Sequence, residues 1–177
     1  MKNIVLCGFM GCGKSTVGRR LAQILKMDFI DMDQWIEKRQ GRRISAIFAQ
    51  EGEAFFRDLE REACRQLSGQ QGLVLSTGGG TLLSAENAGV LRRTGTIFLL
   101  DAPLAAIRER LKNDKSRPLL QRPDRDEAIF RLYTERLPLY REVADHIVNA
   151  AQPIGAVAGE IVAYCSDAKD CRRQAGS

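Results

Sequence analysis

Apolar residues along the chain form five short, nearly continuous runs separated by longer segments of mixed character. The runs are NIVLC (3–7), DFID (28–31), LVLS (73–76), TIFLL (96–100) and HIVNA (146–150). Continuous apolarity, as opposed to alternation, is typical of strands that are covered on both faces. These runs therefore predict the strands of a buried parallel sheet.

The segments between the runs repeat apolar residues at the period of a helix. In STVGRRLAQILK, for example, Val17, Leu21 and Leu25 fall on one helical face. The same period predicts helices in EAFFRDLEREACRQL, PLAAIRERL, DEAIFRLYTERLPLYREV and PIGAVAGEIVAYC, with Pro138 as a kink or a break. Strands that alternate with helices indicate an α/β fold with right-handed crossovers.

Two polar segments interrupt this pattern. Residues 112–125 carry two prolines and no helical stripe, which predicts a lid, a binding loop or disorder. Residues 167–177 are polar and predict a flexible tail. The remaining chain, residues 1–166, is predicted to be a single domain.

Composition narrows the class of protein. No apolar run approaches the roughly 20 residues of a membrane span, and the N-terminus lacks a signal-peptide pattern, so we expect a cytoplasmic protein without membrane contact. The five cysteines have no CxxC spacing, which disfavours zinc and disulfides. The net charge of +5 comes from scattered arginines without interleaved aromatics, which favours small phosphorylated ligands over nucleic acid.

The segment GFMGCGKS, residues 8–15, fits the phosphate-loop pattern G-x-x-x-x-G-K-[ST] between a predicted strand and a predicted helix. Glycines in such a loop let backbone N–H groups surround phosphate oxygens, and the helix N-terminus adds positive potential. Lys14 is then expected to reach the outer phosphates of a nucleotide, and the Ser15 hydroxyl to ligate Mg²⁺.

Two carboxylates follow the second run. P-loop proteins commonly hold the metal with an acid that ends a neighbouring strand, and LVLSTGGG offers none, so Asp31 is the candidate, acting through water. If the backbone stays extended, Asp33 points the same way and can orient an acceptor hydroxyl and take its proton. The alternative is that Asp33 is only the N-cap of a following helix.

Three successive glycines, Gly78 to Gly80, follow the third run. A turn after a strand seldom needs three, so they are expected to bring bare backbone close to a γ-phosphate or to substrate oxygens. The alternative is a flexible turn.

Six motifs in order along the chain together resemble the shikimate kinase family. They are GFMGCGKST, DMD, FR at residues 56–57, STGGG, RPLL at residues 117–120 and ERLPLYREVA at residues 135–144. The resemblance covers about residues 3–164. It implies a P-loop kinase fold of the nucleoside-monophosphate-kinase type, with a five-stranded parallel sheet flanked by helices, a substrate-binding helical region at about 32–62 and a mobile lid. It also implies transfer of the ATP γ-phosphate to the 3-hydroxyl of shikimate, a step toward chorismate and the aromatic amino acids.

The resemblance also implies roles for individual residues. Those for ATP are Gly11, Cys12, Gly13, Lys14, Ser15, Thr16, Arg110, Arg117 and Pro153, and those for shikimate are Asp33, Arg57, Gly78, Gly79, Gly80 and Arg136. Ser15 and Asp31 are the implied Mg²⁺ residues. Catalysis is implied for Asp33 as base, with Lys14 and the lid residue Arg117 at the transferring phosphate. Independently of the family, Glu60 lies one helical turn after Arg57 and could orient it.

Two other readings remain open at this stage. One is a different small-molecule kinase of the same fold, acting on gluconate or a nucleoside monophosphate. The other is a regulator that senses or hydrolyses ATP. Whether the chain is a shikimate kinase or another kinase of this fold, we expect small-molecule partners and a monomer.

Overall fold

The predicted sheet is present in the computed structural model, which describes residues 2–112, 120 and 123–174, with side chains as far as Asp167. Within these ranges the strands are β1 Asn3–Cys7, β2 Asp28–Asp31, β3 Leu73–Ser76, β4 Gly95–Asp101 and β5 His146–Asn149. They form one parallel sheet in the order β2-β3-β1-β4-β5. The prediction of five parallel strands is confirmed, to within one residue at each end.

Burial explains why the runs are apolar throughout. All residues of the inner strands β1 and β3 are buried, whereas the edge strands β2 and β5 are partly exposed. Helices cover both faces of an inner strand, so neither set of alternating side chains meets water.

The helices of the described ranges are α1 Lys14–Leu25, α2 Met32–Gln40, α3 Ile44–Ser68, α4 Ala85–Arg92, α5 Leu104–Leu111, α6 Arg125–Val143 and α7 Ile154–Gln174, with a 3₁₀ helix at Thr81–Leu83. The five helices predicted from periodicity are present. Periodicity did not reveal α2 and α4, because both are short and bury few apolar side chains, Met32 and Ile36 in α2. The helix α2 does lie in the helical region that the resemblance implied at about 32–62. None of the helices in the described chain is long and apolar enough to span a bilayer.

Three details differ from the sequence prediction. The helix α6 continues through Pro138, so of the kink and the break left open there, the break is wrong. The helix α3 contains a non-helical glycine, Gly52, at φ 82° and ψ 177°, so the predicted helix 53–67 is the second half of a longer element. The backbone of α7 continues to Gln174, so the boundary predicted at residue 167 falls inside a helix.

The sheet topology determines where the functional segments lie. Because all strands run in one direction, the segments that follow β1, β2, β3 and β5 begin at the same edge of the sheet. In open α/β sheets this carboxyl edge is where ligands bind. The phosphate loop, the DMD motif and the glycine turn are therefore neighbours, although they lie far apart along the chain, at residues 8–15, 31–33 and 78–80.

Candidate active site

A cleft of about 1000 Å³ opens at this carboxyl edge. Its walls include every described residue that the sequence analysis assigned to ATP, metal or substrate, except Pro153. Gln152 and Ile154, on either side of Pro153, line the cleft in its place. Arg117 and most of the segment predicted as a lid lie outside the described residues.

The phosphate loop owes its shape to glycine. Gly8 and Gly13 have φ values of 135° and 103°, which L side chains rarely adopt, and a Cβ on Gly8 would lie 2.7 Å from the Leu100 carbonyl oxygen. The helix α1 begins directly after Gly13. Its free N–H groups therefore point into the cleft, where they can bind an anion.

Lys14 is buried within this loop. Its Nζ donates hydrogen bonds to the carbonyl oxygens of Gly8, at 2.8 Å, and Phe9, at 3.1 Å. These bonds satisfy the ammonium group while keeping it beside the place where phosphates would bind. The role of Lys14 at the outer phosphates stays a prediction.

Ser15 and Asp31, the two residues predicted for the metal, are hydrogen-bonded to each other. The Ser15 hydroxyl donates to Asp31 Oδ2 at 2.5 Å, and the Ser76 hydroxyl lies 3.3 Å from Ser15 Oγ. Oxygen atoms of this kind are the ligands that Mg²⁺ prefers. Within the described residues there is no group of three or more His, Cys, Asp or Glu side chains that could hold a metal ion.

The backbone between the two aspartates is not extended, contrary to the assumption made from the sequence. Asp31 is the N-cap of α2, because its Oδ1 accepts a hydrogen bond from the Gln34 N–H at 3.3 Å. Asp33 lies in the first turn of that helix, so the alternative role of Asp33 as N-cap is wrong. Both carboxylates nevertheless line the cleft, because the helix starts at its edge.

Asp33 faces the glycine turn. A Cβ on Gly78 would lie 2.8 Å from both Asp33 Oδ1 and Glu60 Oε1, a distance that real Cβ atoms essentially never show. The absence of a side chain at Gly78 therefore lets the turn approach two carboxylates. The approach of this backbone to a γ-phosphate or to substrate oxygens stays a prediction.

Arg57 is held by two glutamates. Its Nη1 donates to Glu60 Oε2 at 2.6 Å, and its Nη2 donates to Glu53 Oε1 at 2.6 Å. Burial is the largest single influence on Arg57 and lowers its pKa, but the charges and hydrogen bonds of Glu60 and Glu53 together outweigh burial and raise the pKa above its ordinary value. The orientation of Arg57 by Glu60, predicted from their i, i+3 spacing, is confirmed.

The guanidinium of Arg57 lies against Gly80. A Cβ on Gly80 would be 2.3 Å from Arg57 Nη1, so any larger residue there would displace the arginine. The rings of Phe48 and Phe56 lie beside it with centroids 5.0 Å apart, and both line the cleft. The cleft wall at this place therefore combines a cation with apolar rings.

Arg136 approaches the glycine turn from α6 and is 8% exposed. Its Nη1 lies 3.5 Å from the Gly79 carbonyl oxygen, which also accepts a hydrogen bond from the Tyr140 hydroxyl. Burial raises the pKa of Tyr140, although Arg136 opposes the shift, so the phenol stays protonated as a donor. Among the described residues no carboxylate lies within ion-pair distance of Arg136.

Arg110 lines the cleft beside the phosphate loop. Its Nη1 donates to the carbonyl oxygens of Gly11 and Cys12, each at 3.2 Å, and its Nη2 lies 3.4 Å from the Ala150 carbonyl oxygen. Arg110 therefore bridges the phosphate loop and the segment after β5. Its place beside the adenine of ATP stays a prediction.

Sequence reasoning missed several wall residues. They are Met10, Arg19, Gln34, Arg43, Ile44, Ser45, Ser76, Thr77 and Val157. Ser76 and Thr77 end the strand next to β1, and that position could have been noticed from the predicted strand order. Met10 belongs to the phosphate loop and Arg19 to α1, so both lie close to residues that were predicted. The residues on or between α2 and α3, and Val157 on α7, depend on how these helices pack over the sheet, which no local pattern reports.

The parallel sheet, the phosphate loop at the head of α1 and the acidic residues beside it define a P-loop phosphotransferase. The family model described as "Shikimate kinase" matches residues 10–166. The chain therefore belongs to the shikimate kinase family, whose members are phosphotransferases acting on a hydroxyl group. The resemblance drawn from the six motifs is confirmed.

Individual relatives agree with this placement. A shikimate kinase of Sulfurihydrogenibium sp. (strain YO3AOP1) is 47% identical over 150 residues, which cover 85% of this chain and 89% of the relative. A shikimate kinase of Persephonella marina is 41% identical over 162 residues, covering 92% of this chain and 98% of the relative.

Solved structures extend the comparison to the fold. A shikimate kinase from Acinetobacter baumannii in complex with shikimate superposes with a TM-score of 0.91 at 38% identity, covering 96% of this chain and 95% of that one. A gluconokinase from Sinorhizobium meliloti reaches a TM-score of 0.60 at 17% identity and shares the fold alone.

Proposed function

We propose that this chain transfers the γ-phosphate of ATP to the 3-hydroxyl of shikimate with the help of Mg²⁺. The observation that carries the proposal is the convergence of four elements on one cleft: the phosphate loop, Asp33, Arg57 and Arg136. The family's relation to shikimate supports the choice of acceptor.

The two arginines suit a small carboxylate. Arg57 is already oriented by Glu60 and Glu53, whereas Arg136 is buried and has no acidic partner among the described residues. A buried cation is costly unless it is paired. A substrate carboxylate provides that pair, and the fork of arginine can bind its two oxygens.

Asp33 serves as the base in this proposal. The hydroxyl oxygen of the acceptor forms a bond to the γ-phosphorus while the bond to the departing ADP oxygen breaks, and the hydroxyl proton passes to an Asp33 oxygen. The first turn of α2 holds the carboxylate next to Gly78, so the acceptor hydroxyl can be oriented between Asp33 and the phosphate loop.

The nucleotide side provides charge and alignment. Lys14 and the N–H groups at the start of α1 bind the outer phosphates, and Arg110 with the segment around Pro153 flanks the adenine. Ser15 and Asp31 fit Mg²⁺ as oxygen donors and would hold it there. When bound, Mg²⁺ neutralises charge on the β- and γ-phosphates.

Arg117 completes the site in the proposal by reaching the transferring phosphate when the lid closes. Closure would exclude water, which otherwise competes with the acceptor for the γ-phosphate. This role rests on the family motif RPLL. We also propose that the protein acts as a monomer, since all the proposed groups belong to one chain, and in the cytoplasm, where ATP is supplied.

ADP release with and without shikimate tests the function. We expect ATP turnover that depends on shikimate and on Mg²⁺, and little turnover with gluconate or nucleoside monophosphates. Equal ADP release without shikimate would instead favour an ATP-hydrolysing regulator. A preference for gluconate or for a nucleoside monophosphate would show that the chain phosphorylates a different acceptor.

A further inference from the structure

A buried hydrogen-bond chain runs behind the substrate side of the cleft. The Thr81 hydroxyl donates to Glu60 Oε1 at 2.5 Å, and the other oxygen of that carboxylate, Oε2, accepts from Arg57 Nη1 at 2.6 Å. Thr81 is 0% exposed and Glu60 is 1% exposed. Glu60 and Arg57 line the cleft, whereas Thr81 does not.

The backbone of Thr81 is also anchored. Its carbonyl oxygen accepts from Asn87 Nδ2 at 3.0 Å, and its N–H donates to the Gly78 carbonyl oxygen at 3.3 Å. Thr81 begins the 3₁₀ helix that directly follows the glycine turn. The hydroxyl therefore projects from a segment that has little freedom to move.

A carboxylate held at one oxygen only can rotate about its last bond. The Thr81 hydroxyl has a single proton, and the short contact to Glu60 Oε1 directs it there. With Oε1 engaged, Oε2 remains directed at Arg57, whose guanidinium is pressed against Gly80. The position of the Arg57 guanidinium therefore depends on Thr81, which reaches it through Glu60.

We propose that Thr81 is a positioning residue for the substrate carboxylate, acting through Glu60 on Arg57. The inference rests on the proposed function, because that carboxylate is the one of shikimate. The inference adds Thr81, which does not line the cleft, as a residue that affects shikimate binding without contacting shikimate. None of the sequence motifs predicts this role for Thr81.

The test compares two substitutions of Thr81. Thr81→Val keeps the shape and removes the hydroxyl, whereas Thr81→Ser keeps the hydroxyl. We expect Thr81→Val to raise the KM for shikimate and the Kd for shikimate measured by calorimetry about tenfold, with kcat and the KM for ATP within about twofold of the parent. Thr81→Ser is expected to bind shikimate within about twofold of the parent.

A residue that merely stabilises the fold would give another result. Loss of folded enzyme lowers kcat and leaves both KM values unchanged. Ser68→Ala provides a matched control, because Ser68, like Thr81, has a buried hydroxyl and does not line the cleft. Ser68 lies at the end of α3 and donates to the Arg65 carbonyl, away from Glu60 and Arg57. We expect its KM for shikimate to equal that of the parent.

A double-mutant cycle tests the route through Glu60. In a Glu60→Ala background, the added Thr81→Val change should alter the shikimate Kd less than twofold, because the carboxylate it acts on is gone. An undiminished tenfold effect in that background would overturn the proposal. If Thr81→Val does not fold, Thr81→Ala removes the same hydroxyl with less crowding and takes its place.

Three further outcomes would overturn the inference while leaving the function intact. They are an unchanged shikimate KM in Thr81→Val, an equal loss in Thr81→Ser, and an equal rise in the KM for ATP. Failure of the parent enzyme to release ADP in response to shikimate would count against the proposed function instead.

Discussion

The Ser15 hydroxyl donates a hydrogen bond to Asp31 Oδ2 across 2.5 Å, joining the phosphate loop to the end of the neighbouring strand β2. The bond directs the hydroxyl proton at the carboxylate and leaves the lone pairs of Ser15 Oγ available. This arrangement is suited to a small hard cation with phosphate and water as its other ligands.

Removing the Asp31 charge should weaken the use of Mg²⁺. For Asp31→Asn we expect the Mg²⁺ concentration at half-maximal activity to rise about tenfold or more, as is typical when a group that orients a metal ligand is lost. Asparagine remains a good N-cap, so α2 should be preserved. Titrating ADP release with Mg²⁺ at saturating ATP measures the effect, and an unchanged titration would contradict the assignment.

The base role of Asp33 predicts a loss in turnover. Asp33→Asn should lower kcat at least about a hundredfold, because the amide cannot accept the hydroxyl proton. Asp58→Asn is a suitable control, since Asp58 is an exposed carboxylate on α3 that pairs only with Arg61 among the described residues. Circular dichroism would establish that both variants fold. Near-normal turnover in folded Asp33→Asn would remove Asp33 from this role.

The contact between Gly80 and Arg57 predicts that a single methyl group impairs substrate binding. Gly80→Ala should raise the KM for shikimate at least about tenfold, because its Cβ would lie 2.3 Å from Arg57 Nη1 and the arginine must move. Gly79→Ala should have a smaller effect, since its nearest atom is Met10 N at 3.6 Å.

The control for this pair is Gly89→Ala in α4, where no heavy atom lies within 4 Å of the added Cβ. It should leave the KM unchanged and stabilise the helix by about 0.5–1 kcal/mol. Similar KM values for the Gly80 and Gly89 variants would show that Arg57 does not bind the substrate from this position.

Tyr140 is expected to keep Arg136 available for the substrate. In Tyr140→Phe the Gly79 carbonyl loses its donor, and Arg136 should move toward it, so the KM for shikimate should rise about threefold to tenfold with little change in kcat. Tyr133→Phe is the matched control, because its phenol also donates from α6, to the Ala102 carbonyl, and does not line the cleft. Equal KM values in the two variants would contradict this role for Tyr140.

Buried thiols predict a loss of stability at alkaline pH. Burial raises the pKa of Cys7 and of Cys64 from 9.0 to about 12. Between these values the unfolded chain releases the proton and the folded chain retains it, so the free energy of unfolding falls as pH rises. Each thiol should contribute a slope of up to about 1.4 kcal/mol per pH unit.

Urea unfolding under reducing conditions from pH 8 to 10.5 measures this slope. Cys64→Ala should be flatter over the range than the parent, whatever its absolute stability. Identical slopes in the two proteins would mean that the Cys64 thiol does not titrate differently on folding.

The local features of the chain were predictable because their causes are local. Each buried inner strand corresponds to a nearly continuous apolar run in the sequence. The phosphate loop depends on glycines that lie within eight residues of one another. The pair of Arg57 and Glu60 was predictable for the same reason, since residues three apart on a helix are neighbours. The location of Asp31 and Asp33 in one cleft was predicted correctly, whereas the extended backbone assumed between them was wrong, because a short helix begins there.

The amino-acid sequence by itself determined the five parallel strands, the phosphate loop and the family of this protein. Only the tertiary structure decided which side chains hold the site in position. Thr81 meets Glu60 across 21 residues and Tyr140 meets Gly79 across 61. Such contacts arise when separate elements pack at one edge of the sheet, and a hydroxyl that donates to a distant partner has no periodicity or spacing that reveals it.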